Sequence, residues 1–179
     1  MPETPTVDTA EKQPTTVILF DWGDTLMVDY PDTLGKMCDW PTVTVVEGAE
    51  KTLQQLSENA RLYVATGAAD SSQEDIRSAF RRVGLDRYLT GYFCQNNVGV
   101  AKGTAEFLPR ILQRLDVQCD QVTMVGDSFS KDIAPALAAG INAVWLSRDT
   151  NTNLATQRHP LLQRVTSLQQ ICPLLFPGK

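Results

Sequence analysis

Short runs of apolar, β-prone residues alternate along the chain with segments whose apolar side chains recur at helical spacing. Ile76, Ala79, Phe80 and Val83 stand at the i, i+3, i+4 and i+7 positions of a core-facing helix, and Gly84 follows as a stop signal. The runs that predict strands are 17–20, 62–65, 92–94, 122–125 and 142–146. This alternation favours an α/β fold, a three-layer, Rossmann-like, doubly wound parallel sheet with helices on both faces.

The chain is predicted to form one folded domain behind a polar leader. Residues 1–15 are rich in Pro, Thr and charge, lack periodicity, and indicate a disordered segment. Residues 16–179 are expected to form a single domain, since 179 residues with 42% hydrophobic content suffice for one well-buried core. Within it, residues 27–46 form a short flap after the first strand, and a last short helix is predicted over 167–171.

Acidic residues follow two of the predicted strands, at the point where each strand ends. Asp21 comes directly after strand 17–20, Asp127 follows strand 122–125 and Gly126, and Asp132 falls in the first turn of the next helix. The carboxyl ends of parallel strands meet at one edge of a sheet, where α/β proteins place their chemistry. The three carboxylates could therefore converge on a hard cation.

Two further positions suit an anion beside such a cation. Thr66 and Gly67 follow strand 62–65 and offer a hydroxyl and a backbone amide. Lys102 follows the loop 96–101 and is predicted to open a helix, where its ammonium would add to the positive end of the helix dipole. Together with a cation, these groups could neutralise the oxygens of a phosphoryl group.

Four strings occur in the order and spacing of a known superfamily. They are FDWGDTL (Phe20 to Leu26), VATG (Val64 to Gly67), Lys102, and VGDSFSKDIAPALAAG (Val125 to Gly140). With these strings the chain resembles the haloacid dehalogenase superfamily of aspartate-nucleophile hydrolases, most of which are phosphatases. The resemblance covers roughly residues 17–146 and implies a Mg²⁺-dependent phosphomonoester hydrolase.

The resemblance also implies a role for each matching residue. Asp21 would be the nucleophile that forms an aspartyl-phosphate, and Thr66 and Lys102 would hold the phosphate. The implied Mg²⁺ ligands are Asp21, the backbone carbonyl of Gly23, Asp127, and Asp132, with Asp132 either binding the metal or orienting Asp127.

The chain departs from the superfamily pattern two residues after the nucleophile. Phosphatases of this group usually have there a second Asp that protonates the leaving group and later activates water, whereas this chain has Gly23. Asp24 stands one place later and could replace that acid, or could serve as an ordinary turn residue. A positioned general acid or base contributes about 10²–10⁴-fold to the rate.

Composition narrows the partners. The net charge is −5 and no basic stripe is present, which disfavours a nucleic-acid partner, and no apolar run is long enough to span a membrane. The four cysteines lack metal-site spacing, and no signal-peptide pattern opens the chain, so a cytoplasmic location is expected.

The flap is too short to form the helical cap that many relatives insert there, so an open site is expected. The predicted partner is a phosphorylated substrate, small or macromolecular, with its identity and the oligomeric state left open. A regulatory module that binds phosphate and metal with little turnover is the main alternative, because of Gly23. Dehalogenation is disfavoured without a cap to enclose an apolar pocket, and a receiver domain would cluster its acids earlier.

Overall fold

Six parallel strands form a single sheet in the computed structural model, which describes residues 14–148 and 158–178. The strands are β1 (Val17–Phe20), β2 (Arg61–Ala65), β3 (Gly91–Phe93), β4 (Val122–Gly126), β5 (Asn142–Leu146) and β6 (Leu162–Val165). Their order is β3-β2-β1-β4-β5-β6, and every neighbouring pair is parallel. All five strands predicted from the apolar runs are present, and β6 was not predicted.

Helices cover both faces of this sheet. They are α1 (Ala49–Ser57), α2 (Gln73–Arg82), α3 (Gln95–Val98), α4 (Phe107–Leu115), α5 (Ala134–Ala138) and α6 (Ile171–Leu175). Single 3₁₀ turns span Met37–Asp39, Asp86–Tyr88, Cys119–Gln121 and Leu168–Gln170, and a π-helical turn, Phe129–Ile133, leads into α5. Among the described residues, no helix has the length and apolar character needed to cross a bilayer.

The core consists of two apolar clusters, one on each face of the sheet. Buried side chains of α1, α2 and α6 pack with Ile18 and Phe20 on one face. Those of α3, α4 and α5 pack with Val17 and Leu19 on the other. Because successive residues of β1 point to opposite faces, its four apolar residues serve both clusters. The predicted three-layer, doubly wound architecture is confirmed.

The prediction that Lys102 opens a helix is wrong. Helix α4 begins at Phe107, and Lys102 lies in the turns that precede it. The ammonium therefore gains nothing from the dipole of α4, which acts only within the first turn. The loop predicted before Lys102 contains the one-turn helix α3, and the predicted last helix, 167–171, is a 3₁₀ turn leading into α6. Residues 1–13 of the predicted leader lie outside the described residues.

The flap, residues 27–46, is fixed to α2 by Arg82 and by an ion pair of Lys36 with Asp75. The guanidinium of Arg82 donates hydrogen bonds to the carbonyl oxygens of Trp40 at 2.6 Å, Cys38 at 2.9 Å and Pro41 at 3.3 Å. The flap contains one 3₁₀ turn and an isolated bridge from Met27 to Val45. It contains no cap domain, and it forms a wall beside the carboxyl ends of the strands.

Candidate active site

Three carboxylates meet at the edge of the sheet where β1 and β4 end. In the register of these strands Phe20 is level with Val125, so Asp21 and Asp127 leave adjacent strands almost side by side. Asp21, Asp127 and Asp132 each offer a carboxylate oxygen, and these oxygens lie within 4.8 Å of one another. The strand order also reverses between β1 and β4, which is where doubly wound sheets bind ligands.

Gly126 makes room for Asp132. A methyl group placed on Gly126 would lie 2.2 Å from Asp132 Oδ2 and 2.4 Å from its Cγ, which is far inside van der Waals contact. The backbone N–H of Ser128 donates to the same Oδ2 at 3.0 Å and fixes the carboxylate over this glycine. Sequence reasoning did not assign Gly126 a role, because a glycine at a strand end gives no sign of what packs on it.

Lys102 joins two of the three acids. Its Nζ lies 2.5 Å from Asp21 Oδ1 and 2.6 Å from Asp132 Oδ1, and its side chain is only 5% exposed. A buried ammonium needs negative partners, and two carboxylates satisfy it here. The sequence prediction that Lys102 belongs to the site agrees with this position, although a turn and not a helix presents it.

The pKa values of the cluster reflect crowding of charge in a buried place. Burial favours neutral Lys102, but the charges of Asp21 and Asp132 outweigh that effect and raise its pKa above the ordinary value. Burial, with the negative charge of Asp21, raises the pKa of Asp132 to about 6 despite the opposing effect of Lys102. The same two causes raise the pKa of Asp127. One ammonium therefore does not balance the three acids.

This donor set fits a divalent cation. Carboxylate oxygens are the ligands that Mg²⁺ prefers, and a cation would relieve the repulsion that raises the pKa of Asp127 and Asp132. Asp21, Asp127 and Asp132 would hold the ion. Gly23 lies in the wall of the same cleft, and its carbonyl as a fourth ligand stays a prediction.

Two threonines beside the acids are buried with their hydroxyls in the site. The hydroxyl of Thr66 accepts a hydrogen bond from the N–H of Ala68 at 3.1 Å, which leaves its own hydrogen to donate. Thr25, a residue with no predicted role, has its hydroxyl oxygen 3.2 Å from Asp21 Oδ2 and 3.4 Å from Asp127 Oδ1. Its single hydrogen can serve only one of these oxygens at a time. Thr25 therefore ties the two strand ends together.

The turn after the nucleophile places its acids differently from the superfamily pattern. Asp24 adopts a left-handed backbone conformation with φ 57°, and its Oδ1 accepts a hydrogen bond from the N–H of Asp29 at 3.0 Å. Asp24 is exposed at the margin of the cleft, and its role as the acid stays a prediction.

The site opens into a cleft of about 630 Å³ between the sheet edge and the flap. The sequence-predicted residues Asp21, Gly23, Asp24, Thr66, Gly67, Lys102, Asp127 and Asp132 all line it. From the flap, Lys36, Met37 and Trp40 form the opposite wall. Charged and polar groups thus surround a space large enough for a phosphorylated small molecule or for a phosphorylated side chain.

Sequence comparison places this chain among known hydrolases. The profile of the haloacid dehalogenase-like hydrolase family matches residues 23–140, about two thirds of the chain. The HAD-hydrolase YfnB of Bacillus subtilis (strain 168) is 22% identical over 111 residues, 62% of this chain and 46% of YfnB. The chain thus spans about half the length of this curated relative.

Solved structures agree in fold. An uncharacterized protein from Listeria monocytogenes serotype 4b superposes with a TM-score of 0.75 at 25% identity, covering 89% of this chain and 96% of that one. Magnesium-bound YfnB superposes with a TM-score of 0.72 at 14% identity, covering 92% of this chain and 100% of that one. A HAD phosphatase from Thermococcus onnurineus superposes with a TM-score of 0.71 at 18% identity, covering 90% of this chain and 98% of that one. With the family profile and the acids at the strand ends, these findings show that the chain belongs to the haloacid dehalogenase-like hydrolase family.

Proposed function

We propose that this hydrolase is a Mg²⁺-dependent phosphomonoester phosphatase that works through an aspartyl-phosphate on Asp21. The observation that carries the proposal is the contact of the buried Lys102 ammonium with both Asp21 and Asp132, inside a cluster of three acids. A positive group fixed against a carboxylate restrains its charge, so that an anionic phosphate can approach it.

The chain's own residues divide the work of phosphoryl transfer. An oxygen of Asp21 attacks phosphorus in line with the departing oxygen, forming the Asp–O–P bond as the bond to the leaving group breaks. Lys102, the Thr66 hydroxyl and the Gly67 amide, whose residues all line the cleft, would hold the phosphoryl oxygens. Asp21, Asp127 and Asp132 would hold Mg²⁺, which would supply positive charge to neutralise those oxygens. Water then hydrolyses the aspartyl-phosphate and returns Asp21.

The substrate class follows from the cleft. Its lysine and aspartate side chains suit a charged phosphate ester, whereas dehalogenation needs an enclosed apolar pocket. The open side of the cleft would admit either a small phosphate ester or a phosphorylated macromolecule. Because Gly23 stands where the usual second Asp would be, a second candidate function is a regulatory module that binds phosphate and metal with little turnover.

Phosphate release from a broad panel of monoesters tests this proposal. The panel should contain aryl phosphates, sugar phosphates, nucleotides, lipid head groups and phosphopeptides, each assayed with Mg²⁺ and with a chelator. We expect turnover that Mg²⁺ supports and the chelator abolishes. Binding of Mg²⁺ and a phosphate mimic without release from any ester would contradict the phosphatase and favour the regulatory module.

A further inference from the structure

We propose that Asp29, from the flap, is the acid and base of this site, in place of the side chain that Gly23 lacks. The inference rests on the proposed phosphatase function and extends it to esters with poor leaving groups. It assigns the proton-transfer role to a residue six positions beyond the usual one.

Hydrolysis of an alkyl phosphate needs a proton donor within reach of the leaving oxygen, because an alkoxide is too basic to leave unaided. Six aspartates line the cleft: Asp21, Asp24, Asp29, Asp70, Asp127 and Asp132. Three of them form the cation cluster. Asp70 lies after β2, and its Oδ1 accepts a hydrogen bond from the Ser71 hydroxyl at 3.2 Å. Asp24 and Asp29 remain, and both lie in the segment that follows Asp21.

The side chain of Asp29, an exposed residue, lies next to the position that a side chain on Gly23 would take. A methyl group placed on Gly23 would lie 3.4 Å from Asp29 Cβ, 3.6 Å from Oδ2 and 3.7 Å from Cγ. These are ordinary contact distances, so the carboxylate of Asp29 lies beside the volume that a longer side chain at position 23 would enter. Position 23 is two residues after Asp21, and both line the same cleft.

Asp24 positions this carboxylate. Its left-handed turn aims its own Oδ1 at the Asp29 N–H, so its carboxylate is engaged in fixing the backbone of Asp29. Asp and Asn adopt left-handed backbone conformations more readily than other residues with a side chain, and their short side chains bond locally. Gly23 and Asp24 thus act together: the glycine leaves position 23 without a side chain, and Asp24 holds the backbone of the residue beside it.

The proton balance of the two steps closes on Asp29 alone. In the first step the carboxyl group of Asp29 gives a proton to the leaving oxygen while Asp21 takes the phosphoryl group, and an alcohol departs. In the second step the Asp29 carboxylate takes a proton from the water that attacks phosphorus. Phosphate leaves, and both Asp21 and Asp29 return to their starting states.

Asp29→Asn tests this role with two substrates of similar shape, 4-nitrophenyl phosphate and benzyl phosphate. The nitrophenolate needs little protonation to leave, whereas the benzyl alkoxide needs it fully. We expect kcat/KM for benzyl phosphate to fall about 10²–10⁴-fold and that for 4-nitrophenyl phosphate to fall much less. Asp32→Asn is the matched control, because it removes the same charge from an exposed flap residue outside the cleft and should leave both rates unchanged.

Two further variants separate positioning from proton transfer. Asp24→Asn keeps the Oδ1 acceptor and should keep the ratio of the two rates, whereas Asp24→Ala loses the hydrogen bond to Asp29 and should lower the benzyl rate selectively. In the Gly23→Asp, Asp29→Gly double variant the acid moves to position 23, and benzyl turnover should return.

The inference is overturned if Asp29→Asn lowers both rates equally or changes neither. It is also overturned if Asp24→Asn, and not Asp29→Asn, makes turnover selective for the nitrophenyl ester, since Asp24 would then be the acid. A failure of the phosphatase proposal looks different: the wild-type protein would turn over neither ester.

Discussion

Asp21→Asn is expected to abolish turnover of every phosphate ester, including those with the best leaving groups. The amide keeps the shape of the side chain but is a poor nucleophile. The substitution also removes a negatively charged partner of the Lys102 ammonium. Because the covalent route is lost, we expect kcat for 4-nitrophenyl phosphate to fall on the order of 10⁴-fold or more. Steady-state kinetics at saturating Mg²⁺ measures this directly.

A control for Asp21→Asn lies at the opposite end of β4. Asp120 is exposed and precedes that strand, so Asp120→Asn makes the same chemical change on the far side of the sheet. Activity should be unaffected. Wild-type activity in Asp21→Asn would remove Asp21 from the chemistry and, with it, the covalent mechanism.

Gly126→Ala is expected to disable the site through a single added methyl group. That methyl would lie 2.2 Å from Asp132 Oδ2, so Asp132 must move away from its contact with Lys102. We expect Mg²⁺ affinity and kcat/KM to fall by at least about 10–100-fold, the usual loss when a ligand or its support is displaced. Crowding of the buried strand end should also destabilise the fold by about 1–3 kcal/mol.

Gly91→Ala provides the matched comparison. Gly91 opens β3, an edge strand of the same sheet, and among the described residues its added methyl would meet only the ring of Tyr63, at 3.2 Å. We expect a modest loss of stability in thermal unfolding, with Mg²⁺ titration and kinetics unchanged. If Gly126→Ala bound Mg²⁺ as tightly as the wild-type protein, Asp132 would have no part in holding the ion.

The sequence predicted the central sheet well because its central strands are buried on both faces. β1 and β4 are continuous apolar runs that periodicity detects directly. β6 was missed because it lies at the sheet's edge and exposes Gln163 and Arg164, so it lacks that signal. The single turn α3 was missed because it, too, gives no periodic apolar signal. Side-chain hydrogen bonds hold it: Asn97 Oδ1 accepts from the Cys94 N–H, and Asn97 Nδ2 donates to the Tyr92 carbonyl.

The site divides in the same way. Asp21, Asp127 and Thr66 could be predicted because each follows a recognisable strand, and parallel strands end at one edge. Asp29 and Gly126 could not be predicted, because their importance depends on packing. Asp29 lies next to Gly23, and Asp132 lies over Gly126. Spacing along the chain carries no signal for either contact.

The stereochemical course at phosphorus shows most directly whether Asp21 takes the phosphoryl group before water does. A thiophosphate monoester made chiral with oxygen isotopes would be hydrolysed in isotopically labelled water. Two successive in-line displacements each invert phosphorus, so we expect net retention of configuration. Net inversion would mean a single direct attack by water and would contradict the aspartyl-phosphate.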